Sequence, residues 1–181
     1  MNIVKRYYYE IIIPDLINKY GYTNLNQIPK IKKIVLNFGN PNFDLKDLST
    51  ALLALELIAH SRGSVKVSSK SNLLLRIRKG TPVGCKIVLQ KDIMYNFIFK
   101  LVSEIFPKTR DFSYLSVSKR LKFNSFSFSL SDLSGCKELS KQFYFFSRLP
   151  PLNVTCFIDS KSKSELVYLL KSFKFPVREK S

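Results

Sequence analysis

Between Arg62 and Lys91 the chain carries Arg62, Lys66, Lys70, Arg76, Arg78, Lys79, Lys86 and Lys91, and no acidic residue. A solvated surface normally mixes the two signs. An unopposed run of cations is chemistry for an anion, and a polyanion suits its length. Contacts from such residues to phosphates would set affinity and register rather than sequence choice. The whole chain repeats the bias: 30 Lys and Arg against 13 Asp and Glu give a formal charge of +17 in 181 residues. Self-repulsion at this level weakens a compact state until an anionic partner neutralises it. Nucleic acid is the first candidate, an anionic membrane surface the second, and a merely soluble basic protein the third.

Catalytic signatures are missing. There is no G-x-x-x-x-G-K-S/T loop, no G-x-G-x-x-G turn and no G-x-S-x-G elbow. The sole histidine, His60, has no evident nucleophile or carboxylate partner and reads as a helix-terminal or surface residue. Asp111 and Asp132 are lone acids that read as caps or ion-pair partners. Cys85, Cys136 and Cys156 are scattered, odd in number and form no C-x-x-C pair. They read as small core residues in a reducing compartment, not as metal ligands. No apolar run is long enough for a membrane span, and Met1 to Tyr9 is too short and polar for a signal peptide. The expectation is a non-enzyme with no cofactor, no metal and no membrane role. The richness in Phe, Tyr, Asn, Lys, Ile and Ser fits AT-favoured codons. It points to an organelle-carried gene, with an AT-rich bacterial genome as the alternative.

The elements that would position these groups follow from periodicity. Residues 3–20 read as a helix that Pro14 kinks or restarts and Gly21 ends. Residues 31–38 read as a strand, with Ile34, Leu36 and Phe38 on one face and Lys33, Val35 and Asn37 on the other. Asp44 would cap a helix over 45–60. A basic, serine-rich loop over 62–72 would include a short strand at 64–67. Residues 73–78 and 83–90 would form two strands joined by Lys79 to Pro82. Leu73, Leu75 and Ile77 would then face inward, with Val83, Cys85, Ile87 and Leu89, while Arg76, Arg78 and Lys86 face outward. Asp92 would cap an amphipathic helix stopped by Pro107. Strands are expected over 123–130 and 152–158. The stretch 131–151 would be irregular, and Ser162 with Glu165 would form a capping box for a last helix. The fold class is α+β: a mostly antiparallel sheet, helices on one face and a basic side that suits nucleic acid. Residues 1–181 read as a single domain.

The string Arg78-Lys79-Gly80-Thr81-Pro82-Val83-Gly84 is a stiff turn by its glycines and proline. The residues around it carry a resemblance. Pro29-Lys30-Ile31-Lys32-Lys33-Ile34-Val35-Leu36-Asn37-Phe38-Gly39 resembles the P-K/R-I/V-x-K-I-x-L/V-N-x-G entry strand of the universal large-subunit ribosomal protein family numbered five. Lys70-Ser71, followed by residues 75–89, resembles its K-S and F-K-I/L-R-x-G-x-P-I/V-G-x-K-V-x-L signature. Met94-Tyr95-Asn96-Phe97, Pro107-Lys108-Thr109-Arg110-Asp111-Phe112 and Phe175-Pro176 resemble its later motifs, in order and at similar spacing. The departures are local. His60-Ser61-Arg62-Gly63 replaces a G-Q/K-K/R-P turn, Leu121-Lys122-Phe123-Asn124 replaces a G-R-G-N loop, and no F-P-E-I is recognisable around residues 135–139.

The resemblance implies a structural protein of the central protuberance that binds 5S rRNA, where the ribosome has one, and large-subunit rRNA. It implies Lys30, Lys33, Asn37, Arg62, Lys66, Lys70, Ser71, Arg76, Arg78 and Lys86 as RNA-binding residues, consistent with the charge pattern. It further implies a P-site tRNA contact through Lys79, Gly80, Thr81 and Pro82. Neighbouring central-protuberance proteins and small-subunit head protein thirteen would be the protein partners, the latter reached through 131–151. The expected location is the mitochondrial matrix, with plastid or bacterial cytoplasm as alternatives. A free-standing RNA chaperone is the rival binding class.

Overall fold

The computed structural model describes residues 2–40, 44–108, 115–117, 124–133 and 135–179. Its strands are β1 (Lys30–Gly39), β2 (Ser64–Val67), β3 (Pro82–Leu89), β4 (Leu115–Val117), β5 (Ser125–Leu130), β6 (Leu152–Asp159) and β7 (Val177–Glu179). Five of them form one antiparallel sheet in the order β2-β3-β1-β6-β5. A short parallel pair joins β4 to β7. The helices are α1 (Ile3–Tyr7), α2 (Ile13–Tyr20), α3 (Leu45–Ala59), α4 (Lys91–Lys100), α5 (Phe106–Lys108), α6 (Lys137–Ser140), α7 (Phe143–Phe146) and α8 (Lys163–Ser172).

The alternation in β1 does what its pattern dictates. Ile34, Leu36 and Phe38 are buried in a continuous core with Cys85, Ile87, Leu89, Val154, Cys156 and Phe126 from the neighbouring strands. Helices cover that side: Ala51, Leu55 and Ile58 of α3, Phe97 and Ile98 of α4, and Leu166, Leu169 and Leu170 of α8 join the same core. All three cysteines are free and buried. Burial pushes the thiols of Cys85 and Cys136 up to about 11 and that of Cys156 up to about 12. They behave as the core residues the sequence suggested. Ser162 and Glu165 form the expected capping box at the start of α8, each satisfying backbone donors of the other's turn.

The prolines act much as expected, and one helix cap is corrected. Pro14 restarts the first helix. The chain runs on from α1 through a π-helical turn, Tyr8–Ile12, and Pro14 lies in the opening turn of α2. A second π turn, Leu101–Ile105, precedes Pro107, which lies in the short α5, whose last residue is Lys108. A proline ring clashes with the carbonyl four residues back and offers no N–H; widening the preceding turn relieves both conflicts. Asp92 does not cap α4. The cap position is Gln90, and the Asp92 carboxylate pairs with Lys5 at 2.8 Å, which holds it below the usual carboxylate range. Asp44 does occupy the cap of α3, without a side-chain bond to the helix.

The largest correction concerns residues 73–78, which form no strand of the sheet. The partner of β3 is β2, and the connection between them runs over residues 68–81. Leu73, Leu74 and Leu75 are exposed instead of facing inward. The alternation Leu75-Arg76-Ile77-Arg78 mimics a half-buried strand, but no core lies beneath it. The expected motif at 109–112, Asp111 with it, and residues 121–123 lie outside the described residues.

Candidate nucleic-acid interface

Among the described residues no helix joins the core from the second face of the sheet, and register shows what stands on it. Asn37 lies opposite Lys86 on one side and Asn153 on the other. Lys86 in turn lies opposite Ser64, and Asn153 opposite Ser129. Paired residues in a ladder share a face. The result is one polar row crossing all five strands: Ser64, Lys86, Asn37, Asn153, Ser129. At about 4.8 Å per strand the row is about 19 Å long. The next row holds Val88, Val35, Thr155 and Ser127, and the one beyond holds Lys33, Phe157 and Ser125. Lys33 lies over the Phe157 ring, 4.8 Å from its centroid. Ser127 donates to Thr155 at 3.1 Å. None of these rows contains an acidic residue.

The sequence-derived residues fall into two groups. Lys33, Asn37, Lys66 and Lys86 belong to the strands of this face, and Arg62 is exposed just before β2. Lys30 is exposed at the start of β1, far along the strand from Asn37, and lies opposite Asp159. Lys70, Ser71, Arg76, Arg78, Lys79 and Gly80 are exposed on the 68–81 connection, with Thr81 and Pro82 half-buried at its end. Arg76 and Arg78 therefore stand on a loop, not on the sheet.

That loop is built in two storeys. At its base Ser68 N donates to Thr81 O, and Gly80 N to Ser68 O, both at 2.9 Å. Farther out, Asn72 and Ile77 exchange backbone hydrogen bonds of 2.8 and 2.9 Å. Gly80 takes a left-handed φ of 89°, as its turn requires. Gly84 has another reason to be glycine: a Cβ there would strike the Phe38 carbonyl, so β1 and β3 meet too closely for a side chain. Lys79, Gly80, Thr81 and Pro82 lie at the base of the loop. Its tip is the turn Leu73 to Arg76, which corrects the expectation of a tip at Gly80.

Several carboxylates are ion-paired, Asp159 at the end of the open face among them. Glu10, Asp92, Glu104, Glu138 and Asp159 pair with Arg6, Lys5, Lys137, Lys100 and Lys32. None of the belt cations from Arg62 to Lys91 has an ion-pair partner among the described residues. Among the described residues no cluster of His, Cys, Asp and Glu could hold a metal, and no helix is long and apolar enough to cross a membrane. His60 sits at the end of α3 with a φ of 50°, and its Nε2 is 3.8 Å from Glu138 Oε1.

A polar row across the sheet, flanked by a loop whose cations have no ion-pair partner among the described residues, suits an anionic partner. The family model for the C-terminus of the large-subunit ribosomal protein five (uL5) family matches residues 82–177, from the first residue of β3 into β7. The chain belongs to the ribosomal uL5 family. It is 34% identical over 182 residues to the large ribosomal subunit protein uL5m of Reclinomonas americana, covering 99% of this chain and 100% of that protein. It is 31% identical to uL5 of Neisseria gonorrhoeae, with 97% and 98% covered. Against uL5c of Oedogonium cardiacum the identity is 30%, with 97% of each covered. Membership makes the chain a ribosomal protein. Sequence reasoning did not find Ser64, Asn153 and Thr155 as members of the face. Only strand pairing brings them to Asn37.

Proposed function

We propose that this uL5 family member docks 5S rRNA and large-subunit rRNA in the central protuberance through the open sheet face and the 62–91 belt. The observation that carries the reading is the polar row across all five strands beside cations that no carboxylate neutralises. Lysines and arginines hold phosphates. Asn37 and Asn153 each offer a donor and an acceptor, and the serines offer hydroxyls, which suits 2′-hydroxyls and base edges in a shallow groove. Lys30, Lys33, Asn37, Arg62, Lys66, Lys70, Ser71, Arg76, Arg78 and Lys86 are the RNA-binding residues in this account. Residues 1–181 act as one domain, a reading supported by the continuous core. The mechanism is electrostatic and shape-based docking on a rigid scaffold, not catalysis.

The same reading gives the 68–82 segment a contact with P-site tRNA, through Lys79, Gly80, Thr81 and Pro82. It gives the 131–151 stretch, with α6 and α7, a contact with small-subunit head protein thirteen. The ribosome is that of a mitochondrion, a placement supported by the AT-favoured composition and by a mitochondrial relative that matches end to end. Charge reversal at Lys79 tests the tRNA contact. Ribosomes carrying Lys79→Glu should assemble normally and retain P-site tRNA several-fold less well in a filter-binding assay. Failure of assembly would move the loop to rRNA docking, and normal retention would remove the tRNA contact.

A further inference from the structure

A different surface lies on the helix side of the fold, away from the open sheet face. Where α1 packs beside α4 and the π turn Leu101–Ile105, the helices leave an apolar groove of about 190 Å³. Its walls are Ile3, Val4 and Tyr7 of α1, Phe99 of α4, Val102 of the π turn and Phe173 just after α8. Ile3 is 73% exposed and Phe99 49%. Ser103 also borders the groove, but its hydroxyl donates to the Phe99 carbonyl at 2.8 Å and is turned back into its own helix. The spacing of the walls is fixed. Asn2 Nδ2 donates to Asn96 Oδ1 at 2.6 Å, and Lys5 pairs with Asp92 at 2.8 Å, so both ties join α1 to α4. A preformed groove lowers the ordering cost of docking.

One charged residue, Lys174, borders the groove. It is exposed and has no ion-pair partner among the described residues. Its φ of 62° places it in the left-handed position that follows a helix, which glycine fills without strain. A lysine there keeps an ammonium beside the apolar walls despite that strain. Size and charge together select the occupant. Small-molecule sites run to roughly 300–1,000 Å³, so this groove takes one or two apolar side chains rather than a cofactor. RNA binding needs several cations along a backbone, and here there is one. A groove between two helices receives the side-chain ridge of a third. The lone ammonium is complemented by a carboxylate.

We propose that this groove seats one amphipathic helix of a neighbouring ribosomal protein. Two apolar residues of that helix, three or four positions apart, enter between Ile3 and Phe99, and an Asp or Glu within a turn of them meets Lys174. The proposal goes beyond the RNA-docking reading. It needs the chain to sit in the large subunit, but not any particular RNA contact of the sheet face.

The test puts a photoreactive benzophenone amino acid in place of the exposed Ile3 and irradiates purified large subunits that carry the full-length chain. Crosslinked peptides are sequenced by mass spectrometry. The expected product joins the chain to one other protein, at a segment with two apolar residues three or four apart and an acid within a turn of them. Lys174→Glu should lower the yield of that product several-fold, and Lys174→Arg should leave it unchanged. Phe99→Ser should lower it roughly tenfold. All three variants should enter large subunits as the wild type does, because the open sheet face is untouched. A crosslink to RNA, to a second copy of this chain or to a protein segment without an acid would overturn the proposal. So would no crosslink from subunits that hold the chain, or a Lys174→Glu yield equal to the wild type. A chain absent from the subunits altogether would overturn the ribosomal placement, and the proposal with it.

Discussion

Asn37 and Lys86 are neighbours in one row, yet they should fail differently when truncated. Lys86 carries a charge, so Lys86→Ala should reduce the log–log salt slope of rRNA binding by about 0.7–0.9. Asn37 carries none, so Asn37→Ala should weaken binding by roughly tenfold at constant slope, with little change in melting temperature. Titrations of both variants against the same rRNA fragment check this, and identical slopes for the two would contradict the assignment. Gly84 belongs to the same scale. Its Cβ would meet the Phe38 carbonyl, and backbone cannot swing aside as a side chain can. Gly84→Ala should therefore cost about 2–3 kcal/mol in urea unfolding. Much was legible at single residues. The face assignments of Lys33, Asn37 and Lys86 and the burial of the cysteines follow from period and type. Asn153 was not legible as a site residue, because nothing in a lone strand says which row of its neighbour it will meet.

At the scale of elements, β1, α3 and α8 were readable because each carries a strong period and a start signal. Residues 73–78 misled because alternation of leucine and arginine is the same signal whether or not a sheet lies beneath. The two prolines were readable, but the π turns that precede them have no sequence mark of their own. The 131–151 stretch carries two short helices, and besides its core residues Cys136, Leu139 and Phe146 an ion pair helps tie it to the body. Lys100, only 9% exposed, donates to Glu138 Oε1 at 2.7 Å and to Ile58 O at 3.2 Å, joining α4, α6 and the end of α3. Partial burial works against the Glu138 carboxylate, but the Lys100 bond outweighs it and holds the group below its ordinary value of 4.5. A depressed carboxylate stabilises the fold above its unfolded pKa and loses that contribution as pH falls through its folded pKa. Glu138→Gln strands a buried ammonium and should cost about 2 kcal/mol near pH 7. Urea unfolding as a function of pH should show this difference shrinking below about pH 4.5. A difference that stayed constant down to about pH 3 would mean that the pair contributes no charge-dependent stability.

For the whole molecule, the excess of positive charge is the central feature. Carboxylates pair with cations at several points, and the belt cations from Arg62 to Lys91 have no ion-pair partner among the described residues. A chain of net charge +17 arranged this way is completed by a polyanion, and family membership makes that polyanion the RNA of a ribosome. Composition predicted the partner's charge, and the motif order gave the family. The shape of the docking surface needed five strands in register. The most direct test is sedimentation of ribosomal particles from cells expressing either the wild-type chain or Lys33→Ala/Asn37→Ala/Lys86→Ala, which alters only the open face. The wild type should travel with large subunits at moderate salt. The triple variant should melt like the wild type and remain near the top of the gradient. A triple variant that still travels with large subunits, or a wild type that does not, would contradict the account.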